Sequence, residues 1–119
     1  MSPGKDWEVE RDILSSHGEA GRFFVTFLDN HDMKERFRGA STDGPDRFDP
    51  QVILAVAVLF GLQGIPCIYY GTEQGLHGRG NSDQFVREAL WGKPNAFDSN
   101  HLFYKAIRRV SEIRDTQPA

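Results

Sequence analysis

Two short apolar runs, each followed directly by a polar cluster, organise the chain. The first run spans residues 23–28, is rich in aromatic and β-branched side chains, and stops at Asp29-Asn-His-Asp32. The second spans residues 65–70 and stops at Gly71-Thr-Glu-Gln-Gly75. Runs that are apolar at almost every position are typical of strands covered on both faces. We therefore predict two buried strands, and we call residues 29–32 the first tip and residues 71–75 the second tip.

Helical patterns follow each predicted strand. After a polar stretch at residues 33–47, which predicts a long loop, Asp49 and Pro50 are expected to open a helix, with the Asp49 side chain capping free amides. The helix body at residues 52–62 is apolar on nearly every side, so it is expected to be well buried, with Gly64 as its stop. Apolar side chains at helical spacing predict a last helix from about residue 98 to 114. Shorter helices are expected at residues 6–16 and 83–90.

The order of these elements predicts an α/β fold with a parallel sheet. A β-α-β-α unit with right-handed crossovers places both strands in one sheet, pointing the same way. The functional groups of such sheets lie at the carboxyl ends of the strands. Both polar tips occupy that position, so we expect them to lie beside each other.

Composition and charge narrow the classes of function. The chain has 119 residues, of which 39% are hydrophobic and 26% charged, as is typical of a globular domain. A net charge of −3 argues against a nucleic-acid or anionic-membrane partner, because polyanions repel an acidic surface. The longest apolar run is too short to span a bilayer and the first residues do not resemble an export signal, so a cytoplasmic location is expected. The single Cys67 is expected to be a buried core thiol.

The two tips and their surroundings resemble a known family. Phe27-Leu-Asp-Asn-His-Asp32 resembles the fourth conserved region of the α-amylase family of glycoside hydrolases, which closes the seventh strand of a (β/α)8 barrel. Residues 64–75, Gly-Ile-Pro-Cys-Ile-Tyr-Tyr-Gly-Thr-Glu-Gln-Gly, look like the eighth strand and its loop. The likeness continues through Arg87-Glu-Ala-Leu-Trp91 and the last helix. It implies a partial TIM barrel of two parallel strands, preceded by an N-terminal helical segment.

The resemblance also implies roles for individual residues. Retaining glycosidases cleave an acetal with two carboxyl groups held about 5–5.5 Å apart. Members of the family add a third carboxylate that stabilises the transition state, and Asp32 matches it. His31 would donate a hydrogen bond to a sugar hydroxyl, and Asn30 and Arg36 are further candidates for substrate binding. Arg36 or Arg38 is expected to pair with Asp32 or Asp29 and keep that carboxyl ionised.

The chain also departs from the family's pattern. The nucleophile and the acid/base come from the family's fourth and fifth strands, which match no part of the chain, so hydrolysis by the chain alone is not expected. Met33-Lys-Glu-Arg36 departs from the commoner Asn-His-Asp-x-x-Arg spacing, which leaves the substrate open. We expect one partial-barrel domain over residues 1–119, in which residues 1–20 lead into strand seven and residues 21–119 reach helix eight.

The expected partners follow from this incomplete barrel. Two parallel strands have two unpaired edges, so a homo-oligomer or a complementing barrel fragment is expected to cover them. The expected ligand is an α-glucan or oligosaccharide, with no cofactor and no metal. The alternative is a carbohydrate-binding or oligomerising module derived from the barrel.

Several site residues have a second interpretation. His31 and Asp32 can simply cap the turn in which they lie. A metal site is an alternative for Asp29, His31, Asp32 and His77, although their spacing fits no usual zinc pattern.

The second tip and its surroundings also allow two interpretations. Tyr69 and Tyr70 can stack on sugar rings, although side chains alternate across a strand and at least one of the two is expected in the core. Glu73 is expected to fix its loop and Trp91 to pack.

Overall fold

A computed structural model describes residues 20–39, 48–78, 82–94 and 96–117 of the chain. The helix expected at residues 6–16 lies outside these residues, as does most of the second half of the loop expected at residues 33–47. The described residues contain two strands, three α-helices and two short 3-10 turns, at Ala20–Phe23 and Thr72–Gln74.

The two strands pair in parallel, as the sequence predicts. β1 is Val25–Phe27 and β2 is Ile65–Cys67, with Val25 opposite Ile65 and Phe27 opposite Cys67. Both strands are shorter than the apolar runs that predicted them. Gly64, at the entry to β2, has a φ of 116°, and a Cβ there would lie 2.6 Å from the Phe24 carbonyl oxygen. Only glycine therefore allows the segments that enter β1 and β2 to approach this closely at the start of the sheet.

The strands are not covered on both faces, contrary to the prediction. Phe23 is 75% exposed, and Val25, Phe27 and Ile65 are about half exposed. Cys67 is likewise exposed, so the expectation of a buried core thiol is wrong. A two-stranded sheet has an open edge on each side, and the helices of the described residues cover only part of its area. The apolar pattern is thus typical of a strand that is covered by more strands and helices than the described residues provide.

Helix α1, Asp49–Gly61, connects the two strands and carries half of the buried hydrophobic residues among the described ones. Val52, Val56 and Leu59 lie on one face of α1 and are each 3% exposed. Pro50 occupies the first turn as expected, but the N-cap residue is Phe48, whose side chain makes no capping hydrogen bond. The expected cap by Asp49 is therefore wrong, because the Asp49 carboxylate instead accepts two hydrogen bonds from Arg38.

The end of α1 also differs from the prediction. The helix ends at Gly61 with Leu62 as its C-cap, and Gly64 lies just before β2 instead of ending the helix. The Arg114 side chain donates to the carbonyl oxygens of Phe60, Leu62 and Gly64. The last carbonyl oxygens of a helix have no partner within the helix and carry partial negative charge. A cationic side chain that donates to them therefore supplies hydrogen bonds and a favourable charge interaction.

Two further helices follow β2. Helix α2, Asp83–Val86, is a single turn, and helix α3, Leu102–Thr116, packs along α1. The ring of His101 accepts from the Phe103 amide at 3.2 Å and caps α3. Phe103 is 2% exposed, whereas Leu102 and Ile113 on the expected apolar stripe remain about half exposed. Among the described residues, no helix has the length and apolar character needed to cross a membrane.

Candidate functional site

The first and second tips lie side by side at the carboxyl end of the sheet. Asp29, which ends β1, is only 5% exposed and accepts hydrogen bonds from the Phe37 amide and from the Thr72 hydroxyl, the latter at 3.2 Å. Thr72 belongs to the second tip, 43 positions along the chain. One buried carboxylate therefore fixes the loop after β1 internally and ties it to the loop after β2.

The rest of the first tip turns outward. The Asn30 side-chain oxygen accepts from the Asp32 amide at 2.8 Å, which makes a local turn of the kind that Asx residues favour. The residue that caps the turn is therefore Asn30. This leaves the side chains of His31 and Asp32 free for other contacts, and they are 63% and 73% exposed.

Asp32 lies among positively polarised groups. Its Oδ1 atom is 3.3 Å from His31 Nε2 and 3.5 Å from the Arg87 guanidinium. Arg87 also donates from Nε to the His31 carbonyl at 3.1 Å. The arrangement presents one carboxylate and one imidazole together at the end of a strand, where both can reach a polar ligand.

Arg36 lies beneath this surface. It is 2% exposed, and it donates to the Tyr70 carbonyl at 2.8 Å and to the Val86 carbonyl at 2.9 Å. Its guanidinium carbon also lies 4.6 Å from the Tyr69 ring centre and 5.2 Å from that of Tyr70. In this position Arg36 offers no open donor to a ligand, and its role in substrate binding stays a prediction.

The ion pairs differ from the expected ones. Arg38 binds the Asp49 carboxylate through two nitrogens and the Gly75 carbonyl through a third. Neither Arg36 nor Arg38 forms the expected pair with Asp29 or Asp32. The arginine that does contact Asp32 is Arg87. Sequence reasoning included its segment in the family likeness but gave it no role, because nothing local predicts that α2 folds back onto the first tip.

The aromatic and acidic residues around the second tip are mostly structural. The rings of Tyr69 and Tyr70 meet edge to face at 4.6 Å. Burial raises the pKa of the Tyr69 phenol, and its hydrogen bond with Tyr70 adds to the rise. The Glu73 carboxylate accepts from the Gly71 amide at 2.8 Å, as expected of a residue that fixes its own loop. Trp91, expected to pack, is instead 85% exposed.

The metal alternative finds no support in the part of the chain that the structure describes. No group of three or more His, Cys, Asp or Glu side chains there is arranged to hold an ion. Asp29 is already used by two hydrogen bonds, and Asp32 faces an arginine. The tips are therefore organised around carboxylates, hydrogen-bond donors and cations.

Comparison with known proteins decides the family. The sequence profile of the α-amylase catalytic domain matches residues 5–115. The chain belongs to the α-amylase family. It is 37% identical over 112 residues to the cyclomaltodextrin glucanotransferase of Paenibacillus macerans, covering 90% of this chain and 14% of that protein. It is 39% identical over 104 residues to α-amylase 1 of Lipomyces kononenkoae, covering 87% of this chain and 15% of that protein.

A third α-amylase-family relative, the cyclomaltodextrin glucanotransferase of Geobacillus stearothermophilus, is 41% identical over 95 residues, or 80% of this chain and 12% of that protein. The chain thus spans only about one seventh of the curated relatives that it matches. No solved structure matches it. The family likeness and the parallel strand pair together confirm the predicted partial barrel of a glycoside hydrolase.

Proposed function

We propose that the chain is part of an α-amylase-type glycoside hydrolase that acts on α-linked glucosyl saccharides. The observation that carries the proposal is the exposed Asp32 carboxylate, 3.3 Å from the His31 imidazole, at the carboxyl end of β1. The names of the relatives, glucanotransferases and amylases, support the same class of substrate.

The chemistry assigned to Asp32 follows from charge. The transition state of glycoside cleavage resembles an oxocarbenium ion, so positive charge develops on the sugar ring. A carboxylate already held in place favours that state without reorganisation, and it can also accept hydrogen bonds from ring hydroxyls. His31 is a donor for a hydroxyl of the same sugar. In this proposal Asn30 acts indirectly, because its side chain holds the Asp32 amide.

The chain alone is proposed to lack hydrolytic activity. Neither the nucleophile nor the acid/base motif of the family occurs in its sequence, and groups that act as a unit lose most of the rate when members are missing. The purified chain, assayed on maltooligosaccharides, starch and sucrose, is expected to show no turnover above buffer. The variant Asp32→Ala serves as the matched control. Turnover by the wild-type chain that Asp32→Ala abolishes would overturn this part of the proposal.

A second proposal concerns what covers the open sheet. Eight large apolar side chains on or next to the strands and α1 are at least 49% exposed. They are Phe23, Phe24, Val25, Phe27, Leu54, Val58, Leu62 and Ile65. Exposed apolar side chains in this number are typical of a surface that a partner covers. A second copy of the chain or a complementing barrel fragment would cover it.

Self-association can be measured directly. Light scattering on the purified chain is expected to give a homodimer or a larger oligomer. Val58→Glu, on the exposed face of α1, is expected to lower the apparent mass, because a charge would have to be buried. Lys105→Glu on the exposed part of α3 is the control. A monodisperse wild-type monomer at every concentration tested would contradict self-association and leave a complementing fragment as the partner.

Sugar binding without catalysis is the alternative function. The exposure of His31 favours it, since its imidazole is 63% exposed and can donate to a sugar hydroxyl without any catalytic group. Calorimetric titration with maltose, for the wild-type chain and for His31→Ala, separates a binding module from an inert fragment. Heat of binding that His31→Ala removes would support the binding module.

A further inference from the structure

Two arginine side chains connect the loop after β1 with the end of α2. Arg36, from the loop after β1, donates to the carbonyl of Val86, the last residue of α2. Arg87, the next residue along the chain, donates back to the carbonyl of His31 and contacts the Asp32 carboxylate. We call this reciprocal pair of contacts, made by Arg36 and Arg87, the arginine clasp.

The Arg36 half of the clasp is fixed. Its guanidinium is buried against two tyrosine rings and bound to two carbonyl oxygens. A Cβ at Gly78 would lie 2.8 Å from Arg36 Cγ, so the backbone of the loop after β2 is already in contact with this side chain. The Arg36 contact sets where α2 lies relative to the first tip, and it therefore sets the position of the Arg87 backbone.

The Arg87 half of the clasp is exposed and acts on one atom of Asp32. The Arg87 side chain is 47% exposed, so its attraction to Asp32 is screened by water and adds little to stability. Both polar contacts that the described residues make with the Asp32 carboxylate, from Arg87 and from His31, fall on Oδ1. Among the same residues, Oδ2 has no hydrogen-bond partner. Contacts on one oxygen favour the side-chain rotamers that turn Oδ1 towards Arg87 and His31, and they leave Oδ2 available.

We propose that Arg87 is a positioning residue for Asp32. Arg87 contacts Oδ1 of Asp32, so that Oδ2 faces the ligand. The two contacts of the arginine clasp set the distance between Arg87 and Asp32. The ligand in this statement, an α-linked glucosyl hydroxyl, rests on the function proposed above. The orientation of the Asp32 side chain does not depend on that function. Asp83 Oδ2 lies 3.7 Å from the same Arg87 nitrogen, Nη2, and is a second carboxylate that attracts this side chain.

The orientation is tested first without any sugar. Scalar couplings between the α and β protons of Asp32 distinguish one side-chain rotamer from an average of several. The wild-type chain is expected to show couplings weighted towards one rotamer. Arg87→Met is expected to show averaged couplings, and Arg87→Lys, which keeps the charge but loses the forked donors, an intermediate result. Arg108→Met removes an exposed arginine on α3 and is expected to change nothing at Asp32.

A double-mutant cycle then tests whether Arg87 acts through Asp32. The probe is maltotriose, and the titration uses the full chain. Arg87→Met is expected to weaken binding about three- to fivefold when Asp32 is present, as for the loss of one exposed charged contact. The same change is expected to have little further effect in an Asp32→Ala background, which removes both carboxylate oxygens. An equal loss in both backgrounds, or rotamer couplings at Asp32 that Arg87→Met leaves unchanged, would overturn the proposal. Absence of maltotriose binding to the wild-type chain would count against the proposed function, and the rotamer measurement would still decide the role of Arg87.

Discussion

Asp29 and Asp32 lie three positions apart on the same loop, yet the structure gives them opposite surroundings. Asp29 is 5% exposed and binds two donors, whereas the Asp32 side chain is 73% exposed. Asp29→Ala removes both hydrogen bonds and leaves the Phe37 amide without its acceptor. Hydrogen bonds to a charged group are worth about 1.5–3 kcal/mol each, so the expected loss is about 3 kcal/mol. Asp32→Ala removes one negative charge as well, but its expected effect is within about 0.5 kcal/mol.

Urea unfolding at one fixed protein concentration measures this difference. For a small domain, a loss of about 3 kcal/mol lowers the unfolding midpoint by about 1–3 M urea. Asp29→Asn, which keeps one acceptor oxygen, is expected to lose about half as much as Asp29→Ala. Equal midpoints for Asp29→Ala and Asp32→Ala would refute the division of the first tip into a structural and an exposed carboxylate.

Three further changes test the packing around the site. Gly78→Ala and Gly92→Ala both place a side chain at a left-handed φ, of 61° and 82°, but only the alanine at position 78 would contact Arg36. The unfolding free energy of Gly78→Ala is therefore expected to be about 1 kcal/mol lower than that of Gly92→Ala. Arg114→Met keeps the apolar stem but leaves the carbonyls at the end of α1 without their donor, and thermal melting of the helical circular dichroism signal is expected to show a loss of about 1–3 kcal/mol. The pKa of Tyr69 is raised in the folded chain above its unfolded value of about 10. Its contribution to stability is therefore complete below about pH 10 and is lost as the pH rises through the higher folded pKa. The urea midpoint of the Tyr69→Phe variant is expected to fall less at alkaline pH than the midpoint of the wild-type chain.

The parallel strand pair could be predicted because its signals are local. The apolar runs, the polar residues that end them and the helix between them all lie in continuous sequence, and a β-α-β order allows few arrangements. The positions of β1, α1 and β2 follow from those signals. Their exact ends do not, since the pairing of only two strands limits how far each extends.

What sequence reasoning missed depends on contacts between distant segments. The Asp49 carboxylate was expected to cap its own helix, but Arg38 takes it from another loop. The cation beside Asp32 was expected four or six positions away, at Arg36 or Arg38, but it comes from Arg87, 55 positions along the chain. Charged residues on exposed loops have several possible partners of similar energy, and only the folded arrangement selects among them.

The exposure of the strands illustrates a different limit. The run at residues 23–28 predicts burial on both faces, and the structure leaves Phe23 and Val25 largely open. The pattern records the surroundings for which the strand is suited, and two strands with their helices provide only part of them. Apolar runs therefore predicted the type of element correctly and its degree of burial incorrectly.

We propose that the first tip forms a sugar-binding surface beside the second tip. A titration of the isotopically labelled chain with maltotriose, followed by amide chemical shifts, locates that surface residue by residue. The largest shifts are expected at Asn30, His31 and Asp32, with smaller ones at Arg87 and none on α3. Shifts confined to other parts of the chain, or none at any maltotriose concentration, would contradict it.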